Sequence, residues 1–169
     1  TTFCAPPTIY RFLIKEGLEH YDLSCLKYVT TAGEALNPEV FRKFQEYTGL
    51  MIMEAFGQTE TTALTANYVG SHTKVGSLGK ASPMYDLDVV DEEGNPVPNG
   101  EVGELVVRTR GSKQLGMFVG YYEGPEKTEE VWKNGVYHTL DTVWRDDDGF
   151  FWYVGRMDDV IKASGYRIG

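Results

Sequence analysis

Leu50-Met51-Ile52-Met53-Glu54-Ala55-Phe56-Gly57-Gln58-Thr59-Glu60-Thr61 carries an apolar run of β character into a glycine and then presents an amide, a hydroxyl and a carboxylate in succession. Thr59 can donate to a phosphoryl oxygen, and Glu60 can offer one hard oxygen to Mg²⁺, which takes few protein ligands when nucleotide phosphates supply the rest. The same residues also suit a strand broken by Gly57 and a helix capped by Thr59, with Glu60 in its first turn. Just upstream, residues 26–31 are β-rich and lead to Gly33. Asn37 then reads as an N-cap with Pro38 at N1, and Val40, Phe41, Phe44 and Tyr47 follow at helical spacing before Gly49. Pro6 and Pro7 open an earlier helix over residues 7–16, with Ile9, Phe12 and Leu13 on one face and Gly17 as its stop. Short strands alternating with amphipathic helices predict an α/β arrangement whose loops at strand ends receive ligands. Thr31-Ala32-Gly33-Glu34-Ala35 is one such loop: its small residues either admit a planar ring close to the backbone or form an ordinary turn.

The character changes after about residue 70. Residues 85–90 and 103–109 read as strands around a turn at 91–95, and residues 125–131 as a short helix. Asp146-Asp147-Asp148-Gly149 is a further turn joining strands at 138–143 and 150–154, so the second half reads as a small antiparallel β unit. That turn brings Asp141 and Arg156 onto neighbouring strand ends. There they form either a clamp for a sugar, with the carboxylate accepting and the guanidinium donating, or a cross-strand salt bridge. The three aspartates at 146–148 lack further oxygen ligands at loop spacing and read as turn residues. His20, His72 and His138 share no metal-binding spacing. In the tail, Lys162 and Arg167 either neutralise an anion or belong to an ordinary surface loop.

Sixteen Lys and Arg against 25 Asp and Glu give the 169 residues a formal net charge of −9. That field repels a nucleic-acid backbone or an anionic membrane, so an anionic ligand has to be met by a local site. No apolar run is long enough to insert in a membrane. Cys4 and Cys25 are far apart and outside any paired metal pattern, which fits a reducing compartment. A cytoplasmic location is therefore expected, with any organelle-targeting segment lying upstream.

In this order the segments resemble the adenylate-forming superfamily of acyl- and aryl-CoA synthetases, luciferases and peptide-synthetase adenylation domains, and most closely its medium-chain acyl-CoA synthetases. Residues 28–36 are similar to the adenine-pocket loop, and Ala55-Phe56-Gly57-Gln58-Thr59-Glu60 to the aromatic-Gly-Gln-Thr-Glu motif. The resemblance implies that Gly33, Glu34 and Ala35 border the adenine and ribose, and that Glu54 faces the adenine edge. It implies further that Thr59 contacts the α-phosphate and that Glu60 helps to hold Mg²⁺. His138-Thr139-Leu140-Asp141 is similar to the segment whose aspartate grips both ribose hydroxyls, with Leu140 where Gly is frequent. Gly155-Arg156-Met157-Asp158-Asp159 resembles the ribose-binding Arg followed by an interdomain hinge at Asp158. Ser164-Gly165-Tyr166-Arg167 resembles the start of the mobile C-terminal domain, with Arg167 reaching a nucleotide phosphate and Ser164 and Gly165 near the pantetheine path of CoA. Gly57 stands where acetate-activating relatives carry a Trp that closes the acyl pocket.

The implied division is a βα portion of the AMP-binding domain at 1–70, a small β-rich subdomain at 71–157, and a hinge with the start of the C-terminal domain at 158–169. The implied chemistry activates a carboxylic acid with ATP and passes it to CoA. Alternatives are an adenylation domain serving another acceptor and a non-catalytic nucleotide-binding module. The family's phosphate loop with its Lys and its late catalytic Lys are not among these 169 residues, so the chain is expected to be a fragment, inert alone. No oligomeric state is implied.

Overall fold

A computed structural model describes residues 1–109 and 115–157 in full, and the backbone of two short strands at 161–163 and 166–168. Helix α1 (Pro7–Glu16) starts on a proline at N1 and is closed by Gly17, whose φ of 87° lets its N–H reach the Ile14 carbonyl. Helix α2 (Pro38–Thr48) starts where the Asn37 side chain accepts the Glu39 N–H at 2.8 Å and ends at Gly49 in the left-handed region. Its Val40, Phe41 and Phe44 bury against Tyr10 of α1 and against Val29 and Ile52 of the sheet beneath. The Tyr10 ring meets the Phe44 ring edge-on, centroids 5.1 Å apart.

That sheet portion is parallel: β1 (Thr2–Cys4), β2 (Tyr28–Thr31) and β3 (Ile52–Gly57) lie side by side, with Phe3 opposite Val29 and Thr30 opposite Met53. The strand expected from residue 26 begins at Tyr28, because the Lys27 and Tyr28 N–H groups both turn to the Thr1 carbonyl. After β3 the chain reverses. The Gln58 N–H donates to Thr61 Oγ1 at 3.0 Å and the Thr61 N–H to the Gln58 carbonyl at 3.1 Å, so residues 58–62 form a tight turn. No helix starts at Thr59, which removes the helix-cap reading of that residue.

From the turn onward pairing is antiparallel: β4 (Ala63–Ala66) on β3, and β5 (Gly79–Ala81) on β4. β6 (Asp86–Val90) and β7 (Val102–Arg108) form a hairpin, and α3 (Pro125–Val131) leads into the two-residue strand β8 (Trp132–Lys133). β9 (Val136–Arg145) and β10 (Phe150–Arg156) complete the sheet, in the order β1-β2-β3-β4-β5-β10-β9-β7-β6 with β8 beside β9. Leu105, Val106 and Val107 are all fully buried, as in a strand covered on both faces, which explains the mixed alternation of that segment. Phe56, Leu64, Leu105, Val107, Tyr137, Val143 and Phe151 build this second core. β11 (Ile161–Ala163) pairs with β12 (Tyr166–Ile168) in a separate antiparallel ribbon.

The turn at 146–149 does more than reverse the chain. Asp146 Oδ1 takes the Asp148 and Phe150 N–H groups, and its Oδ2 takes Lys74 Nζ at 2.6 Å and the Trp152 indole N–H at 3.1 Å. Burial pushes the Asp146 carboxyl up, but Lys74, the Phe150 N–H and the Trp152 indole outweigh it and hold it at about 2. The segment between β4 and β5 is thereby tied to the β9–β10 turn.

Candidate functional site

Because β2 and β3 are parallel neighbours, their C-terminal ends deliver two loops to one edge of the sheet, the usual ligand position of such sheets. A cavity of about 280 Å³ opens there. Gly33, Glu34, Ala35, Glu54 and Gly57 all line it, with Arg11, Ala55, Phe56, Leu78 and Tyr153. The Glu34 carboxylate takes a hydrogen bond from Thr8 Oγ1 at 3.2 Å, and that oxygen in turn takes one from Arg11 Nη2 at 2.8 Å. Helix α1 thus fixes the mouth of the cavity. Glu54 is buried and accepts the Leu36 N–H at 3.1 Å. Burial pushes its carboxyl up to about 7 against the opposing effect of that N–H. Near neutrality Glu54 is therefore partly protonated, and it offers a donor and an acceptor rather than a fixed charge.

Gly57 lines the cavity, yet a Cβ on it would lie 2.3 Å from the Thr62 carbonyl oxygen. The missing side chain is thus demanded by the turn that brings β4 back against β3. A larger residue here requires the Thr62 backbone to move.

Asp141 and Arg156 form a direct cross-strand pair between β9 and β10. Arg156 Nη1 donates to Asp141 Oδ1 at 3.3 Å, and the Tyr153 hydroxyl donates to the same oxygen at 3.4 Å. Oδ2 accepts from Gln58 Nε2 at 2.6 Å, while the Gln58 Oε1 takes the Tyr137 hydroxyl at 2.7 Å. The Asp141 side chain has no solvent exposure. Gln58 and Tyr153 therefore cover the carboxylate and have to yield one of its oxygens before a ligand hydroxyl reaches it. Tyr153 also lines the first cavity, so it connects the Gly33–Glu54 wall to Asp141.

A second hollow of about 600 Å³ is lined by Gln58, Glu60, Tyr121, Lys127, Leu140 and Arg156, among others. Thr59 is exposed at the turn, and Glu60 is half-buried with Oε1 accepting the Tyr121 hydroxyl at 2.9 Å. Tyr121 thus holds one oxygen of the carboxylate, and the second is of the hard-donor type that a cation can use. No group of three or more His, Cys, Asp or Glu suited to a metal exists among the described residues. A lone oriented carboxylate fits Mg²⁺ arriving with nucleotide phosphates and does not fit a resident all-protein metal site.

Asp158, Ser164 and Gly165 lie outside the described residues, as does the Arg167 side chain, although its backbone in β12 pairs with Lys162. The sequence reading missed Arg11, Tyr121 and Tyr153 as site residues, and gave Gln58 a place in a motif without a partner. Tyr153 left no signal in the alternation: three positions before Arg156, it meets Asp141 beside that arginine only through the register shift between Tyr153 and Gly155. Leu140, standing where Gly is frequent, has φ 58° and accepts the left-handed backbone that explains a glycine preference.

A family model described as AMP-binding enzyme matches residues 1–122. The mitochondrial acyl-coenzyme A synthetase ACSM5 of Rattus norvegicus is 46% identical over 169 residues, which is 100% of this chain and 29% of that protein. The crystal structure of a Brucella canis acyl-CoA synthetase is 40% identical with a TM-score of 0.79, and the match covers 98% of this chain and 31% of that one. The crystal structure of the anthranilate CoA ligase AuaEII in complex with anthranoyl-AMP is 31% identical with a TM-score of 0.85, covering 99% of this chain and 32% of that one. The chain thus spans less than a third of the length of these proteins.

Proposed function

The chain belongs to the AMP-binding enzyme family, and from that premise we propose that it forms the adenosine-binding wall of an acyl-CoA synthetase acting on an acid larger than acetate. The observation that carries this reading is the convergence of the 33–35 loop, Glu54 and Gly57 on one cavity that Tyr153 links to the Asp141–Arg156 pair. The small residues at 33 and 35 admit a flat base, and Glu54 supplies a mixed donor–acceptor edge. Asp141 accepts the ribose hydroxyls and Arg156 donates beside it. Thr59 donates to the α-phosphoryl group. Glu60 would hold a Mg²⁺ ion arriving with the nucleotide, and that ion would neutralise phosphate charge.

In the proposed reaction a carboxylate oxygen bonds to the α-phosphorus of ATP as the bond to the β-phosphate oxygen breaks, releasing pyrophosphate. The CoA thiol then loses its proton and bonds to the acyl carbon, and AMP leaves with the electrons of the cleaved bond. These residues work by positioning and electrostatics and provide no nucleophile. Residues 1–70, 71–157 and 158–169 are read as the βα portion, the β-rich portion and the hinge region. Asp158 is assigned to the pivot, Arg167 to the phosphate, and Ser164 and Gly165 to the pantetheine path. No helix among the described residues is long and apolar enough to cross a membrane. The mitochondrial name of the rat relative favours an organelle interior over the cytoplasmic expectation.

The test is a hybrid in which this chain replaces the matching 169 residues of rat ACSM5. Acyl-CoA formation is followed with acetate, butyrate, hexanoate, octanoate and benzoate. A larger acid should win, because each additional buried CH₂ contributes about 0.8 kcal/mol. A preference for acetate refutes the pocket assignment, and acyl-adenylate formed without acyl-CoA refutes CoA as the acceptor.

A further inference from the structure

Glu104 stands on β7 opposite the point where β9 leaves regular pairing. Glu104 faces Thr142 and Val106 faces His138, so Leu105 alone spans the stretch that holds Thr139, Leu140 and Asp141. The middle residue of that bulge, Leu140, has φ 58°, a conformation that a residue with a Cβ adopts only when its surroundings enforce it. Those surroundings centre on the Glu104 carboxylate, which is almost wholly buried. Its Oε1 accepts the Leu140 N–H at 2.9 Å, and its Oε2 meets His138 Nδ1 at 2.8 Å. From the other side the Met157 N–H donates to the Leu140 carbonyl at 2.9 Å. Asp141 is the next residue out of the bulge, and its N–H is taken by Thr139 Oγ1 at 3.1 Å.

We infer that Glu104 is a positioning residue for the ribose grip: its carboxylate holds Leu140 left-handed and so sets the direction in which Asp141 presents its oxygens. The inference rests on the reading of Asp141 as the ribose-binding residue. Glu104 touches no ligand itself, and His138 keeps its carboxylate turned toward the bulge. A buried side-chain oxygen that accepts a backbone N–H at a bulge restrains that backbone, because the N–H has no water to turn to. A glycine at position 140 would need no such restraint, since it enters the left-handed region freely. Glu104 and Leu140 therefore form a coupled pair, and the coupling is measurable.

The experiment titrates AMP calorimetrically into the hybrid of rat ACSM5 that carries this chain, and compares the unmutated hybrid as wild type with Glu104→Ala, Glu104→Gln, Leu140→Gly and the Glu104→Ala/Leu140→Gly double variant. Glu104→Ala should weaken AMP binding about tenfold, the equivalent of the cost of one left-handed non-glycine residue. Glu104→Gln keeps an acceptor for the Leu140 N–H and should stay within about twofold of wild type, and the double variant within about twofold of Leu140→Gly. Hydrogen exchange at the Leu140 amide should rise in Glu104→Ala and remain slow in Glu104→Gln.

AMP binding that is intact in wild type and equally strong in Glu104→Ala overturns the inference and leaves the nucleotide reading standing. So does a loss in Glu104→Ala that Leu140→Gly does not relieve. A folded wild-type hybrid that fails to bind millimolar AMP defeats the nucleotide reading and this inference with it. If Glu104→Ala does not fold, the double variant against Leu140→Gly decides. A double variant that is also unfolded assigns Glu104 to holding the fold and overturns the positioning role.

Discussion

Replacing Asp141 with Ala removes a fully buried carboxylate whose two oxygens accept from Gln58, Tyr153 and Arg156. The Arg156 side chain is only 12% exposed, so water replaces the lost acceptor poorly. Truncating one partner of such a pair costs about 3 kcal/mol. For a chain of this length each kcal/mol lowers Tm by roughly 2–4 °C, so Asp141→Ala should melt about 6–12 °C below wild type. Asp147→Ala is the control: its side chain is exposed at the turn and, among the described residues, accepts a hydrogen bond from Asn99 Nδ2 at 3.3 Å, so its change should be within about 0.5 kcal/mol. Asp141→Asn keeps the shape and one acceptor, and should fall between the two. If Asp141 also receives ribose hydroxyls, Asp141→Ala loses charge-assisted contacts worth about 1.5–3 kcal/mol, a factor of about ten to more than a hundred in AMP affinity. Thermal melts and AMP titrations of the three variants check both halves. Equal Tm and equal AMP affinity for Asp141→Ala and Asp147→Ala would refute the argument at its root.

The raised Glu54 carboxyl makes a pH prediction. Its ordinary value of 4.5 rises to about 7 on folding, so the native state holds the proton longer and stability falls as pH rises between those values. Glu54→Gln should therefore exceed wild type by up to about 3 kcal/mol at about pH 8 and by little at about pH 5, read from urea unfolding at each pH. An advantage that does not change with pH would contradict this account of Glu54. Gly57→Ala should destabilise by about 1–3 kcal/mol because its Cβ meets the Thr62 carbonyl oxygen, and a melt unchanged from wild type would show that the turn gives way freely. Lys74→Met should lower Tm at neutral pH by untying Asp146 and Asp148, with the difference closing as pH falls from the ordinary carboxyl value of 3.8 through about 2. A Tm difference that is the same at low and neutral pH would rule out the Lys74–Asp146 tie as its source.

Where local chemistry alone dictates structure, the sequence was readable. Pro7 with Gly17 and Asn37-Pro38 with Gly49 bracket α1 and α2 at the expected residues, because proline, asparagine and glycine satisfy helix ends on their own. β4 and β5 were not foreseen, since Ala63-Leu64-Thr65-Ala66 and Gly79-Lys80-Ala81 carry little β propensity and become strands through pairing with β3 and β10. The site was legible where one turn sets a distance, as for Asp141 and Arg156 across the turn at 146–149. It was hidden where distant segments meet. The contact of Gln58 with Asp141 crosses 83 positions and that of Tyr121 with Glu60 crosses 61, and neither spacing leaves a periodic trace. Gly57 shows the limit of analogy: its place in a motif suggested an open pocket, while the Thr62 carbonyl shows that the turn itself also requires a glycine there.

The most direct test of the central claim, that this chain forms an adenosine-binding wall, is a paired NMR titration of the 169 residues with AMP and GMP. The account predicts that AMP shifts the signals of Gly33, Ala35, Glu54, Gly57, Asp141 and Arg156 together along one binding curve, while GMP moves them weakly or not at all. Equal responses to the two nucleotides, or AMP-dependent shifts that leave Asp141 and Arg156 unmoved, would contradict it.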